Sequence, residues 1–224
     1  MDLSSRFHHN NFKNITSLCD KVMQNRIMAG IFGYAGAGKS YALDKFKEDN
    51  KGVFKITLGK STTPKNIFNE LLNELRNEKI YRNESRGFLK LLFENEIDKL
   101  EGNHLIVIDE ASRLEGENLS YLQEIWEMSK FKCGIIVCGH KDFYNSVIKW
   151  EAKGTRGVEE FISRINFFVE LERPSDFEIE EFFKSMKLDL TRQGREVLDE
   201  NLRIKRSKRT WRSVTLSVQN NFLK

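Results

Sequence analysis

Residues Gly33-Tyr34-Ala35-Gly36-Ala37-Gly38-Lys39-Ser40 read G-x-x-x-x-G-K-S, and no other stretch of the chain narrows its folding options as far. The apolar run ahead of it, residues 27–32, reads as a short buried strand. Behind it, residues 41–47 read as a helix with Ala42, Leu43 and Phe46 on one face. A strand that turns through glycines into a helix wraps its backbone N–H groups round a phosphate chain, and the helix N-terminus adds partial positive charge. Lys39 is then placed to reach the β- and γ-phosphates and Ser40 to ligate Mg²⁺. The pattern implies a nucleoside triphosphate.

The rest of the chain repeats the strand–helix alternation. Residues 52–58 alternate like a strand, and Thr63-Pro64 reads as a helix N-cap followed by proline at the first helical position. Ile67, Phe68, Leu71, Leu72 and Leu75 form the apolar stripe of that helix. A polar loop leads to a second helix with Phe88, Leu91, Leu92 and Leu100 expected on its apolar side. Strands follow at residues 105–108, 134–138 and 165–171, with helical patterns round Leu122 and Val147. Five strands alternating with helices imply an α/β fold, a parallel sheet covered on both faces. Pro174-Ser175-Asp176 then caps the first of three helices with no strand between them, a small lid subdomain. The expected organisation is an N-terminal arm over 1–26, a core over 27–173 and a helical lid over 174–224.

No apolar run is long enough to cross a bilayer, and the N-terminus shows no secretory h-region. Three cysteines without metal-ligand spacing fit buried thiols in a reducing cytoplasm, and the adjacent His8 and His9 do not make a metal site. Net charge is +4, but residues 201–224 carry seven basic side chains and no acid, leaving 30 basic and 33 acidic residues elsewhere. Such a run is either a solvated face or a surface that meets nucleic acid.

Leu105-Ile106-Val107-Ile108-Asp109-Glu110 is a buried strand ending in two carboxylates. Asp109 is suited to hold Mg²⁺ and Glu110 to polarise an attacking water, which points to hydrolysis of the nucleotide. The next strand ends at His140, either a γ-phosphate sensor or a loop histidine satisfied by its neighbours. Arg164, with Arg156 as fallback, is either a surface ion-pair partner or an arginine finger that reaches a neighbouring subunit's nucleotide. Arg212, with Arg209 as alternative, could swing onto the γ-phosphate from the lid.

Together these residues resemble the AAA+ ATPases, from about Ile27 to Leu223. The resemblance implies a P-loop core with a five-stranded parallel sheet and a three-helix lid. It implies ATP held by Gly33, Tyr34, Ala35, Gly36, Ala37, Gly38, Lys39, Ser40, Tyr41 and Arg212, with Mg²⁺ on Ser40 and Asp109. Catalysis falls to Lys39, Glu110, Arg164 and, as sensor 1, His140, where an asparagine or hydroxyl residue is more usual.

More narrowly, the chain is similar to the transposition-associated branch, the MuB and TnsC type. Thr62-Thr63-Pro64, the block I-V-I-D-E-A-S-R at residues 106–113, Ile136-Val137-Cys138-Gly139-His140 and Ser163-Arg164-Ile165 carry that likeness. It implies a cytoplasmic ATPase that assembles as a filament or ring on double-stranded DNA and activates a transposase. The expected DNA contacts are Lys60, Thr62, Lys65, Arg82 and Arg86, with Lys205, Arg206, Lys208 and Arg209 in the tail. The alternatives are a helicase loader of the DnaC type and a nucleotide-dependent module of phage defence or signalling.

Overall fold

Uninterrupted apolar runs become the central strands. The computed structural model describes residues 10–173, with Ser175 and Glu178. Its strands are β1 (Met28–Gly33), β2 (Val53–Thr57), β3 (His104–Asp109), β4 (Cys133–His140) and β5 (Ile165–Leu171). Every pairing is parallel, in the order β2-β3-β4-β1-β5. β1, β3 and β4 are buried along nearly their whole length, as strands covered on both faces must be.

Side-chain alternation divides the core into two layers. Phe32, Ile106, Ile108, Ile135 and Val137 face one cluster, which takes in α3 (Pro64–Arg76), α4 (Arg86–Asp98), α5 (Leu119–Ser129), α6 (Lys141–Ala152) and α7 (Val158–Arg164). Ala29, Ile31, Leu105, Val107, Ile136 and Cys138 face the other, with α1 (Asn10–Asn25) and α2 (Lys39–Asp49). α1 occupies residues 10–25 of the expected arm and buries Phe12, Ile15, Leu18, Cys19 and Val22 on the sheet. It crosses β4 so closely that a Cβ on Gly134 would lie 2.2 Å from the Val22 carbonyl oxygen, so only glycine fits there.

α3 starts as expected: Thr63 accepts a hydrogen bond from the Asn66 N–H, and proline occupies the first turn. α4 turns a different face inward from the one expected. Leu89, Phe93 and Ile97, spaced by four, are buried, while Phe88 and Leu91 are 47% and 52% exposed. Phe93 meets Phe68 of α3 edge-on at 5.8 Å between ring centroids, which sets the rotation of the helix. Among the described residues no helix is long and apolar enough to cross a membrane. The expected lid, with Arg212 and the tail cations Lys205, Arg206, Lys208 and Arg209, lies outside the described residues.

Candidate nucleotide site

The loop between β1 and α2 follows the conformation its glycines permit. Ala37 N–H donates to the Tyr34 carbonyl, and Gly36 and Gly38 take φ of 79° and 87°, the left-handed region that disfavours side chains. Gly38 is the N-cap of α2 and has no side chain to cap it, and no acidic residue lies in the first turn. Nothing in the first turn therefore compensates the positive end of α2, which faces the loop. The Lys39 ammonium donates to the carbonyls of Gly33 and Tyr34, each at 2.9 Å. Burial lowers its pKa, offset in part by the charges of Asp109 and Glu110 nearby. Ser40, the second residue of α2, is half-buried.

Sheet register brings the remaining groups to the same edge. Gly33 pairs with His140 across β1 and β4, and β3 ends at Asp109 beside the C-terminal half of β4. Asp109 is 1% exposed. Its Oδ1 accepts from the Glu110 N–H at 2.9 Å, while Oδ2 is buried without a hydrogen-bond partner. A buried carboxylate oxygen that makes no hydrogen bond and faces only the ammonium of Lys55 at 3.2 Å, next to a phosphate cradle and a half-buried serine hydroxyl, is a donor set Mg²⁺ can take when nucleotide phosphates complete its shell. Among the described residues no group of three or more His, Cys, Asp or Glu could hold a metal ion.

Glu110 turns out of the strand at φ 57°, a left-handed conformation uncommon for glutamate, and its carboxylate is exposed with Arg113 Nε 3.9 Å away. His140 is tied on both sides. Its N–H donates to Ser112 Oγ at 2.6 Å, and its Nδ1 accepts from the Asp142 N–H as the N-cap of α6. Its Nδ1 also lies 3.0 Å from Asp142 Oδ2, so backbone and side chain of Asp142 both face the ring. The structure thus assembles Lys39, Asp109, Glu110 and His140 at one edge.

Arg164 lies elsewhere. Ile165, which follows it, pairs with Met28 at the start of β1, whereas the phosphate loop leaves the end of β1 at Gly33. At about 3.3 Å per residue the strand separates the two by roughly 17 Å. There Arg164 Nε bonds Glu127 Oε1 at 2.7 Å, and Lys130 and Arg164 together hold the Glu127 carboxyl below its ordinary pKa. Arg156 is exposed.

The expected DNA contacts divide. Lys60 is exposed and lines a cleft of about 530 Å³ with Arg113, His140 and Trp150. Lys65 bonds Asn83 and lies over the Tyr81 ring, and Arg86 stacks on Tyr121 while bonding its hydroxyl. Thr62 Oγ1 accepts from the Gly59 N–H, closing a turn. Arg82 is a correction: it is buried, with its guanidinium engaged by Glu78, Asn73 Oδ1 and the Ile80 carbonyl. It clamps the loop to α3 and is not presented to a duplex.

Three site residues go beyond the sequence expectations. Lys55 of β2 lies between Asp44 of α2 and Asp109, at 2.5 and 3.2 Å. Burial alone would lower its pKa, but those two carboxylates hold it above the ordinary lysine value. Arg173, just past β5, stacks over the ring of Tyr34 at 4.1 Å. Asn11 of α1 donates to the carbonyls of Ala37 and Glu172, so it ties the phosphate loop to the segment leaving β5. Asn11→Ala leaves the Ala37 carbonyl without this bond in a buried place and the Glu172 carbonyl without it in a part-buried one, and should cost about 1–3 kcal/mol, read by urea unfolding. An unchanged midpoint would show that water replaces the amide.

A family model described as an AAA domain matches residues 23–147, more than half of the chain. The chain belongs to this AAA domain family. The parallel five-stranded sheet with its phosphate loop is the P-loop core of an AAA+ ATPase, and nucleotide hydrolysis goes with that family. No curated protein matches the sequence. Solved structures share the fold of this AAA domain at low identity. ORC1 of Aeropyrum pernix, in complex with DNA, matches with a TM-score of 0.67 and 12% identity over 94% of this chain and 58% of its own. The initiator DnaA, bound to AMPPCP and single-stranded DNA, matches with 0.61 and 18% over 99% and 64%. Cdc6p of Pyrobaculum aerophilum matches with 0.60 and 16% over 80% and 48%. This chain thus spans about half to two-thirds of the length of these proteins.

Proposed function

We propose that this AAA+ ATPase is an ATP-dependent switch that assembles on duplex DNA without sequence preference and serves transposition as a target-selecting partner of a transposase. The observation that carries the assembly between subunits is the placement of Arg164. It stands exposed at the edge of the sheet opposite to Lys39, Asp109 and Glu110, so it can serve as an arginine finger only toward a second subunit. ATP then acts as a joint between protomers, with Ser40 and Asp109 holding Mg²⁺ and Glu110 positioning water. His140 senses the γ-phosphate, and the proposed lid over 174–224 closes through Arg212. Hydrolysis loosens the joint.

Lys60, Thr62, Lys65 and Arg86 are the proposed phosphate contacts within the core, and the tail cations add to them. Lys60 supports the DNA reading most directly. It shares its cleft with Arg113, which reaches Glu110, so a phosphate backbone bound there touches the hydrolytic group through one side chain. The DNA in the ORC1 and DnaA structures supports the same ligand class. The single strand held by DnaA favours, as a second reading, a helicase-loader-type ATPase.

ATPase rate measured with and without duplex over a salt series tests the proposal. Duplex should stimulate turnover several-fold, and the stimulation should fall steeply as salt rises. Indifference to duplex sinks the reading; stimulation by single strands alone transfers it to the loader.

A further inference from the structure

Lys55 is a buried cation in a place where the P-loop motif does not call for one. Its side chain is 8% exposed, beneath α2, on the same face of the sheet as Val53 and Val107. Its ammonium lies 3.2 Å from Asp109 Oδ2, the oxygen that has no hydrogen-bond partner, and 2.5 Å from Asp44 Oδ1. Asp44 belongs to the helix that begins at Lys39, and its side chain is 57% exposed. The three groups form a line from the phosphate-loop helix through β2 to the end of β3.

We propose that Lys55 is a built-in counter-cation of the metal site: it holds Asp109 in place and competes with Mg²⁺ for Asp109 Oδ2, with Asp44 drawing it off. The inference rests on Asp109 being the Mg²⁺ residue. A fixed positive charge this close to a carboxylate opposes a divalent cation on the same oxygen, and the low exposure of both side chains limits screening by solvent. Asp44 is the release side. The more firmly it holds the ammonium, the more of the Asp109 charge is left for Mg²⁺. The arrangement sets the Mg²⁺ requirement of nucleotide binding and links it to the position of α2.

The experiment is a Mg²⁺ titration of the binding of a fluorescent ATP analogue, read by anisotropy without turnover, on the full chain. Lys55→Met keeps the apolar stem and removes the charge, and should lower the half-saturating Mg²⁺ about five- to ten-fold. Asp44→Asn, an exposed and conservative change, should raise it about two- to three-fold, because the ammonium is then left wholly to Asp109. Lys55→Arg should stay near the parent. A purely structural lysine would alter stability in all three and leave the Mg²⁺ midpoint alone.

An unchanged or raised midpoint in Lys55→Met overturns the proposal. Should that variant not fold, an unchanged or lowered midpoint in Asp44→Asn does so. Asp109→Asn separates the two levels. If it binds with the parent's Mg²⁺ dependence, the metal assignment itself is wrong. If it loses that dependence while Lys55→Met matches the parent, only the role of Lys55 fails.

Discussion

Lys39→Ala is expected to remove ATP binding, with affinity falling by at least about a hundred-fold in isothermal titration, while the thermal melting curve of the protein stays within a few degrees of the parent. The asymmetry follows from where the ammonium is. It donates to two loop carbonyls, Gly33 and Tyr34, at 2.9 Å each, and burial already lowers its pKa. A partly desolvated cation held against two loop carbonyls gains most from a phosphate that restores what solvent no longer supplies. The fold loses little without it. The loop conformation is set by Gly36 and Gly38 in the left-handed region and by the Ala37–Tyr34 turn, none of which needs the lysine side chain. Affinity kept within ten-fold of the parent would mean that the N-terminus of α2 alone holds the phosphates.

The sheet was legible in the sequence because its inner strands are long enough and apolar enough to be nothing else. Leu105-Ile106-Val107-Ile108 and Ile135-Ile136-Val137-Cys138 carry no polar position that a surface strand would show. The phosphate loop and Asp109-Glu110 were legible for a related reason: their chemistry depends on neighbours in the chain, which a sequence displays directly. What escaped depends on elements distant in sequence. Lys55 sits at the polar phase of an alternating strand and reads as solvent-facing; only α2 lying over that face buries it. Arg82 reads as a loop cation, yet Asn69 and Asn73 of α3 bind the same loop and turn its side chain inward. α4 was ambiguous because Phe88, Leu89, Leu91, Leu92 and Phe93 supply apolar residues to more than one face, and contact with Phe68 selects among them. α1 is different. Phe12, Ile15, Leu18, Cys19 and Val22 have helical spacing that was there to be read, and the polar residues between them obscured it.

Glu110→Gln and Arg164→Ala together test whether the site is completed by a second subunit. Glu110→Gln should bind ATP as the parent does and lose turnover by about a hundred- to a thousand-fold, since it removes the group that polarises water while keeping its shape. Arg164→Ala should lose turnover on a similar scale for the opposite reason, the site keeping its water and losing its external cation. Arg164 costs little to mobilise: its partner Glu127 is also bonded by Lys130, and an exposed ion pair of this kind contributes little to stability. Melting temperature should therefore barely move. If the finger acts between subunits, mixing the two inactive proteins recreates complete sites wherever a Glu110→Gln protomer lends its arginine to an Arg164→Ala neighbour. Activity should then reappear in steady-state ATPase assays, reaching up to about a quarter of the parent rate for random pairing of equal amounts. Rescue that grows with protein concentration would assign the arginine to the neighbour. Mixtures as inactive as their components, from proteins shown to co-assemble, would remove Arg164 from catalysis and leave it as a link between α7 and α5.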